Sequence, residues 1–529
     1  MPRLRLVATA TAAVLVLCGV RGHTQAARVF LDGFAPRAIE SGVSPVMAET
    51  AASAAHARVT VQSASVIDRT GASGARYVAG RVIVKFRDGV SSAARSTTMR
   101  LASQTASLST RADYANFDVM TIDASEDAEA VARTMSARPD VEYAQAAYRV
   151  HTEFIPNDRF YPRQWNLPLI DLERAWNLQM AAGSAITVAV IDTGIAYTNA
   201  TFKFHAFGFQ DDQGNKYPSL GDLTLPFAAA TELAPATRFV APHDFIWDDN
   251  VPVDLDGHGT HVSGTIGQLT DNGTNGQGDV TNGGGTAGVA FNVKLMPVKV
   301  IDSDWDDIFG SPNQGTDDVV ARGIRYAADN GAKILNMSIG RTGPPAPVIE
   351  DAIKYAVGKG CFIAIAAGND FEDGNPTEVL AEIASRVQGA VSVGAVDQLK
   401  THAYYSSTGP WVELAAPGGS FRQFGAIGGI LQQTLNLDLV ETFSLAPAQY
   451  SAPRFDALAY YYFIGTSMAT PHVSGLAAML AQQGVTDPAA IEAALEKFAV
   501  DLGSPGRDNT FGFGLVEARD TLRGLGLAK

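Results

Sequence analysis

The chain has 529 residues, 46% of them hydrophobic and 18% charged, which is longer than one typical domain and apolar enough to fold. Its formal net charge of −15 is unevenly spread: residues 1–150 hold 17 Lys and Arg against 13 Asp and Glu, and residues 151–529 hold 23 against 42. An acidic body argues against nucleic-acid binding, and a basic leader ahead of it suggests two parts that attract each other.

Residues 1–26 read as a secretory signal, with Arg3 and Arg5, an apolar run from Leu6 to Val20, and the small Ala26 at a cleavage position. The run is short for a membrane span, and no other stretch is apolar enough for one. An uncleaved anchor and a lipidated Cys18 are the alternatives; the bulky Leu17 speaks against the second. With the signal removed, Cys361 has no cysteine to pair with inside the chain. It sits in the apolar run CFIAIAA, where a core role is expected.

Residues 27–76, rich in Ala, Ser and Val without a period, read as a linker or weakly ordered segment. From Tyr77 the texture changes. RVIVKF (81–86), FDVMTID (117–123) and DVEYAQAAY (140–148) read as strands, with helices predicted over 91–103 and 126–137. That order predicts a small α+β domain. FIPNDRFYPRQW (154–165) marks a join. Beyond it, short apolar strands are predicted at 186–191, 294–300, 333–337, 361–367 and 389–396, with helices such as 316–330 and 346–358 between them. The pattern predicts a parallel sheet covered by helices on both faces. Residues 203–250 look loop-like and 419–462 aromatic and Gly-rich; both read as surface insertions.

Three segments carry candidate chemistry. In GTSMATPHVSG (465–475), Pro471 is tolerated near a helix start and the run after it is helical, so Ser467 lies at a helix N-terminus beside free N–H groups. Such a serine suits an acyl-transfer site, although by position alone a helix cap is the simpler reading. DGHGTHVSG (256–264) opens a second helix with His258 early in it. His258 and His261 are three apart, whereas helical zinc hydrolases use an i, i+4 pair with a glutamate between, so a metal pair is disfavoured. VAVIDTGI (188–195) places Asp192 at the end of a buried strand, where open α/β sheets build their sites. His261, Ser263, His472 and Ser474 read as packing residues.

Taken in chain order, VIDTGI, HGTHVSGTI and GTSMATPHVSG resemble the three signatures of subtilisin-like serine peptidases. NMSIG (336–340) resembles that family's substrate-binding strand, AIAAGND (364–370) its oxyanion segment, and FGFGLVEA (511–518) the end of its catalytic domain. The resemblance spans residues 155–522 apart from the two insertions; residues 77–150 resemble, more weakly, the family's inhibitor propeptide. It implies an α/β fold of three layers, with a mainly parallel sheet between helices, plus the small α+β propeptide. The implied layout is a signal peptide at 1–26, a linker at 27–76, a propeptide at 77–152 and a peptidase domain at 153–529 with insertions near 203–250 and 419–462.

The resemblance also implies roles. Ser467 is the nucleophile, His258 the general base, Asp192 its orienting partner, and Asn369 with the Ser467 N–H the oxyanion donors. Ser338, Ile339 and Gly340 are expected to pair with the substrate backbone, and Ala366, Ala367 and Gly368 to wall the main side-chain pocket. Arg341 departs from the family pattern and is expected to affect binding further upstream. Glu378 either favours a basic substrate side chain or faces water; the leaning is toward a broad apolar or aromatic preference. The chemistry needs no cofactor. Members of the family commonly hold structural calcium in loops near the helix that begins at His258, so the resemblance leaves room for it here; Asp271, Asn272, Asn275 and Asp279 offer oxygen donors, and such residues also make plain turns. Implied partners are protein or peptide substrates and the chain's own propeptide as inhibitor, with no nucleic acid and no stable membrane association. The expected molecule is a secreted or periplasmic monomer that cuts itself near 148–157.

Overall fold

The computed structural model describes residues 76–108, 115–148, 154–211, 213–271, 285–444 and 447–524, and the backbone of two short strands at 28–29 and 68–70. The expected signal segment, nearly all of the expected linker, residues 149–153 of the expected cleavage region, and Asn272, Asn275 and Asp279 lie outside the described residues. The chain divides into two compact units, one built mainly from residues 31–155 and one mainly from 181–517.

In the first unit, β1 (Arg76–Phe86) pairs antiparallel with β3 (Asp118–Thr121) and with β4 (Val141–Tyr148), and β2 (Ser107–Leu108) adds to β3. Alternation decides its inner face: Val82, Val84 and Phe86 are buried while Arg81 and Arg87 face outward. α1 (Ser92–Ala102) follows β1, and α2 (Ala128–Ser136) buries Ala128, Val131, Ala132 and Met135, the stripe of a 3.6-residue period. The Asp127 side chain accepts from Glu129 N at 2.9 Å and caps α2. These elements match the sequence expectation to within two residues, apart from an early start of β1 and the short β2, which was not predicted.

The second unit is built on a seven-stranded parallel sheet. Its spatial order is His243–Asp244, β8 (Lys294–Lys299), β5 (Thr187–Asp192), β9 (Ile334–Met337), β10 (Phe362–Ala366), β11 (Ala390–Val396) and β12 (Leu414–Pro417). The five inner strands are those predicted. The two edge strands were not, because one has two residues and the other, LAAP, has poor β-formers. α4 (Asp317–Asp329) and α5 (Pro347–Gly358) are the crossovers that parallel strands need. Cys361 is buried at the start of β10, where its Sγ lies 3.1 Å from the Ala332 carbonyl.

Both insertions differ from expectation. Residues 203–250 contain most of a hairpin, β6 (Ala200–Ala206) with β7 (Gly221–Phe227), whose Phe204 stacks on Phe309 at 4.4 Å. Residues 419–462 are exposed in part but carry a buried strand. β13 (Ile430–Leu435) is buried throughout and pairs with β14 (Leu458–Phe463). Its polar letters, ILQQTL, hid this. Inside the fold Gln432 accepts from Thr286 Oγ1 at 3.0 Å and donates to the Ala287 carbonyl at 3.3 Å, so its amide is not left unpaired.

Candidate active site

β5 ends on Asp192, buried completely, with five apolar or β-branched residues before it in the strand. α3 (His258–Gly267) begins on His258, after Gly257 at φ +107°. The His258 Nδ1 lies 2.7 Å from Asp192 Oδ1, and Thr193 N donates to the same oxygen at 2.8 Å. A glycine permits this approach. A Cβ on Gly259 would clash with the Gly194 carbonyl oxygen and lie 3.1 Å from Asp192 Oδ1.

α7 (Thr466–Gln482) begins one residue before Ser467, after Gly465 at φ +150°. It packs against α3, and every residue from Thr466 to Ala481 is buried. Pro471 has no N–H to give the carbonyl four residues back, which is that of Ser467. Ser338 Oγ donates to that carbonyl instead, at 2.8 Å, and Ser467 Oγ donates to the Ser338 carbonyl at 3.0 Å. Two hydrogen bonds thus tie the start of α7 to the chain leaving β9.

Asn369 follows β10. Its Oδ1 accepts from Thr466 N at 2.9 Å and Thr466 Oγ1 at 3.0 Å, which fixes the amide's orientation. Its Nδ2 is then buried with no acceptor among the described residues. A buried donor left unpaired costs free energy unless something arrives to accept from it. Ser338–Gly340 and Ala366–Gly368 leave the sheet side by side, since β9 and β10 pair in parallel from Ile334–Phe362 to Met337–Ile365. Arg341 is held by Asp317, at 2.7 Å through Nε and 2.6 Å through Nη2.

The other residues of the two shared HVSG runs are engaged in packing. His261 Nε2 meets the Ile430 and Tyr461 carbonyls at 3.0 and 3.1 Å, and its ring stacks on Phe463. His472 bridges Met468 O and Asn166 Nδ2, and burial pushes it down to about 4, so it is neutral at pH 7. Ser263 Oγ donates to Gly259 O and Ser474 Oγ to Asn336 Oδ1.

Two features escaped the sequence reading and a third was left open. Asp254, fully buried, accepts from Thr193 Oγ1, Asp256 N, Gly257 N, Thr260 N and Thr260 Oγ1 at 2.6–3.0 Å, joining the end of β5 to the start of α3. An acid four residues before a helix's first histidine was the available signal. Glu378 is buried rather than facing water, and it caps α6 (Val379–Ala384). Finally, Asp158, Glu232 and Gln268 each have a buried side-chain oxygen without a donor among the described residues. Burial pushes Asp158 up to about 6 and Glu232 up to about 7, and the Asp158 charge adds to the cost of ionising Glu232. Asp271 N donates to Asp158 at 3.0 Å, which puts this cluster beside the start of the 270–285 segment.

A parallel α/β sheet that carries Asp, His and Ser at strand and helix ends, in that chain order, defines a protein of the subtilisin-like class. The sequence model of the subtilase family, Peptidase S8, matches residues 183–514, and that of the fervidolysin N-terminal prodomain matches residues 51–146. The chain belongs to the subtilase family and is a subtilisin-like serine protease with an N-terminal prodomain. It is 29% identical over 449 residues to a thermophilic serine proteinase of Bacillus sp. (strain AK1), covering 84% of this chain and 88% of that one. It is 29% identical to thermitase of Thermoactinomyces vulgaris, over 67% of this chain and 94% of that one. Among solved structures, a protease of Pseudoalteromonas arctica matches with a TM-score of 0.50 at 26% identity, covering 71% of this chain and 99% of that one. No helix among the described residues is long and apolar enough to cross a membrane.

Proposed function

We propose that the chain is a secreted serine endopeptidase, made as a zymogen and matured by cutting itself near residues 148–157. Asn369 Nδ2 carries this reading: it is buried, oriented by Thr466, and lacks an acceptor beside the helix start that holds Ser467. That is the arrangement an oxyanion requires, a donor already in place and needing no reorganisation.

In the proposed reaction the Ser467 hydroxyl turns from the Ser338 carbonyl to His258 and attacks the peptide carbonyl. His258 takes the proton and returns it to the leaving amine, while Asp192 holds the ring in its tautomer and stabilises its cation. Asn369 Nδ2 and the Ser467 N–H receive the oxyanion. Ser338, Ile339 and Gly340 add the substrate as a strand, and Ala366, Ala367 and Gly368 line one wall of its side-chain pocket. The prodomain acts as intramolecular inhibitor until it is removed. The enzyme works as a monomer on protein or peptide substrates.

Asp158 and Glu232 fit a calcium ion, since both are buried acids with an oxygen left without a donor among the described residues. Bound there, the ion supplies stability and takes no part in the chemistry.

The test of the enzymatic reading is expression of Ser467→Ala beside the wild type. The variant is expected to accumulate as the full-length zymogen and to escape fluorophosphonate labelling, which the wild type takes up. Maturation of the variant without added protease would overturn self-cleavage.

A further inference from the structure

Ser338–Gly340 and Ala366–Gly368 run side by side from β9 and β10. In the peptidase mechanism proposed for Ser467 they flank the substrate side chain that precedes the cleaved bond, and any role for Glu378 in selectivity rests on that mechanism. Glu378 lies between these two runs and is only 2% exposed. Its carboxylate occupies the space in which a side chain on Gly340 would begin, and its own Cβ would be 3.3 Å from a Cβ placed on Gly368. Both walls are thus glycine where the acid touches them.

The acid has hydrogen bonds on one oxygen and no dedicated cation. Oε1 accepts from Arg341 N, and from Leu380 N at 3.4 Å; Oε2 receives no hydrogen bond among the described residues. The charged groups that face it are Arg341, from the chain after β9, and Asp370, from the chain after β10. Arg341 favours the ionised form but has its guanidinium committed to Asp317; Asp370 opposes ionisation. Burial is the largest influence and pushes Glu378 up to about 7. A neutral or apolar substrate group placed against this carboxylate would desolvate it further with no compensation, whereas an ammonium or guanidinium would supply the absent charge.

We propose that Glu378 is the specificity-determining residue of this protease and selects Lys or Arg at the position preceding the cleaved bond. This departs from the apolar or aromatic preference expected from the sequence.

The experiment compares peptides that differ only at that position, carrying Arg, Lys, Phe or Ala, with mature enzyme titrated by fluorophosphonate, at pH 6 and pH 8.5. The ratio of kcat/KM for Arg to that for Phe cancels the titration of His258. It is expected to exceed about tenfold at pH 8.5 and to fall by about tenfold at pH 6, as an acid with its midpoint near 7 protonates. Glu378→Gln is expected to lose both the preference and its pH dependence, and Glu378→Asp to keep a preference for basic residues. A wild type that prefers Phe at both pH values overturns the proposal, as does an Arg to Phe ratio that ignores pH. A preference for Ala also overturns it, by showing that the carboxylate plugs the slot. Failure of the catalytic reading would look different: no fluorophosphonate uptake and no cleavage of any of the four peptides.

Discussion

Asn369 is the residue where geometry adds most to the letters. An AGN run marks a family resemblance, but what gives the side chain its use is the way Thr466 occupies its oxygen and leaves its nitrogen empty. Asn369→Ala is expected to lower kcat with little change in KM. The corresponding loss in subtilisin itself is about 10²–10³-fold, and that is the magnitude to look for here in steady-state kinetics on a peptide substrate. A KM effect of that size with kcat intact would show that the amide holds ground-state substrate. Residue-scale reading named Asp192, His258 and Ser467 together, and the structure sets His258 Nδ1 2.7 Å from Asp192 Oδ1. It missed Asp254, because a buried acid with five donors looks in sequence like any loop aspartate. It left Glu378 undecided because burial cannot be read from TEVL.

At the scale of elements, the site is a meeting of ends. β5 ends at Asp192, α3 starts at His258 and α7 starts at Thr466, so each of the three side chains proposed for catalysis lies within one residue of an element boundary. Short apolar strands and the Pro471 rule made those boundaries legible. The approach of α3 to β5 was not, since it depends on the absent Cβ of Gly259 beside the Gly194 carbonyl. Gly259→Ala is expected to push His258 away from Asp192 and cut kcat by about 10²-fold or more, in the range seen for small misplacements of reacting groups. The check is kcat together with near-ultraviolet circular dichroism, so that loss of fold is separated from loss of alignment. Unchanged kcat in a folded variant would show that the helix start has slack. The polar strand β13 marks the limit of element-scale prediction. Its glutamines and threonine read as surface, and only their internal hydrogen bonds make burial tolerable.

At the scale of the molecule, stability should depend on pH through acids that the fold buries. Asp158 and Glu232 are raised to about 6 and about 7, above their ordinary values of 3.8 and 4.5. The folded state therefore holds protons that the unfolded chain has already released, and stability is lost as pH rises from about 4 to about 7. A cation that binds the ionised pair acts in the opposite sense and gains most above that window. Chelation is thus expected to lower Tm by about 5 °C or more at pH 8 and by much less at pH 5, read by scanning calorimetry with and without calcium. Equal losses at the two pH values would show that these carboxylates are not the ligands. Glu232→Gln is expected to abolish the calcium increment at pH 8. Composition announced an acidic body, but the portion of that charge with consequences for stability is the part hidden from solvent.

The buried Cys361 has a practical consequence. Its thiol is pushed up to about 11 by burial and its Sγ lies 3.1 Å from the Ala332 carbonyl, so the reactive thiolate is scarce at neutral pH. A cysteine introduced on an exposed surface position would therefore take a maleimide dye ahead of Cys361, without any need to remove Cys361. The proposed cleavage of the prodomain can then be followed by fluorescence.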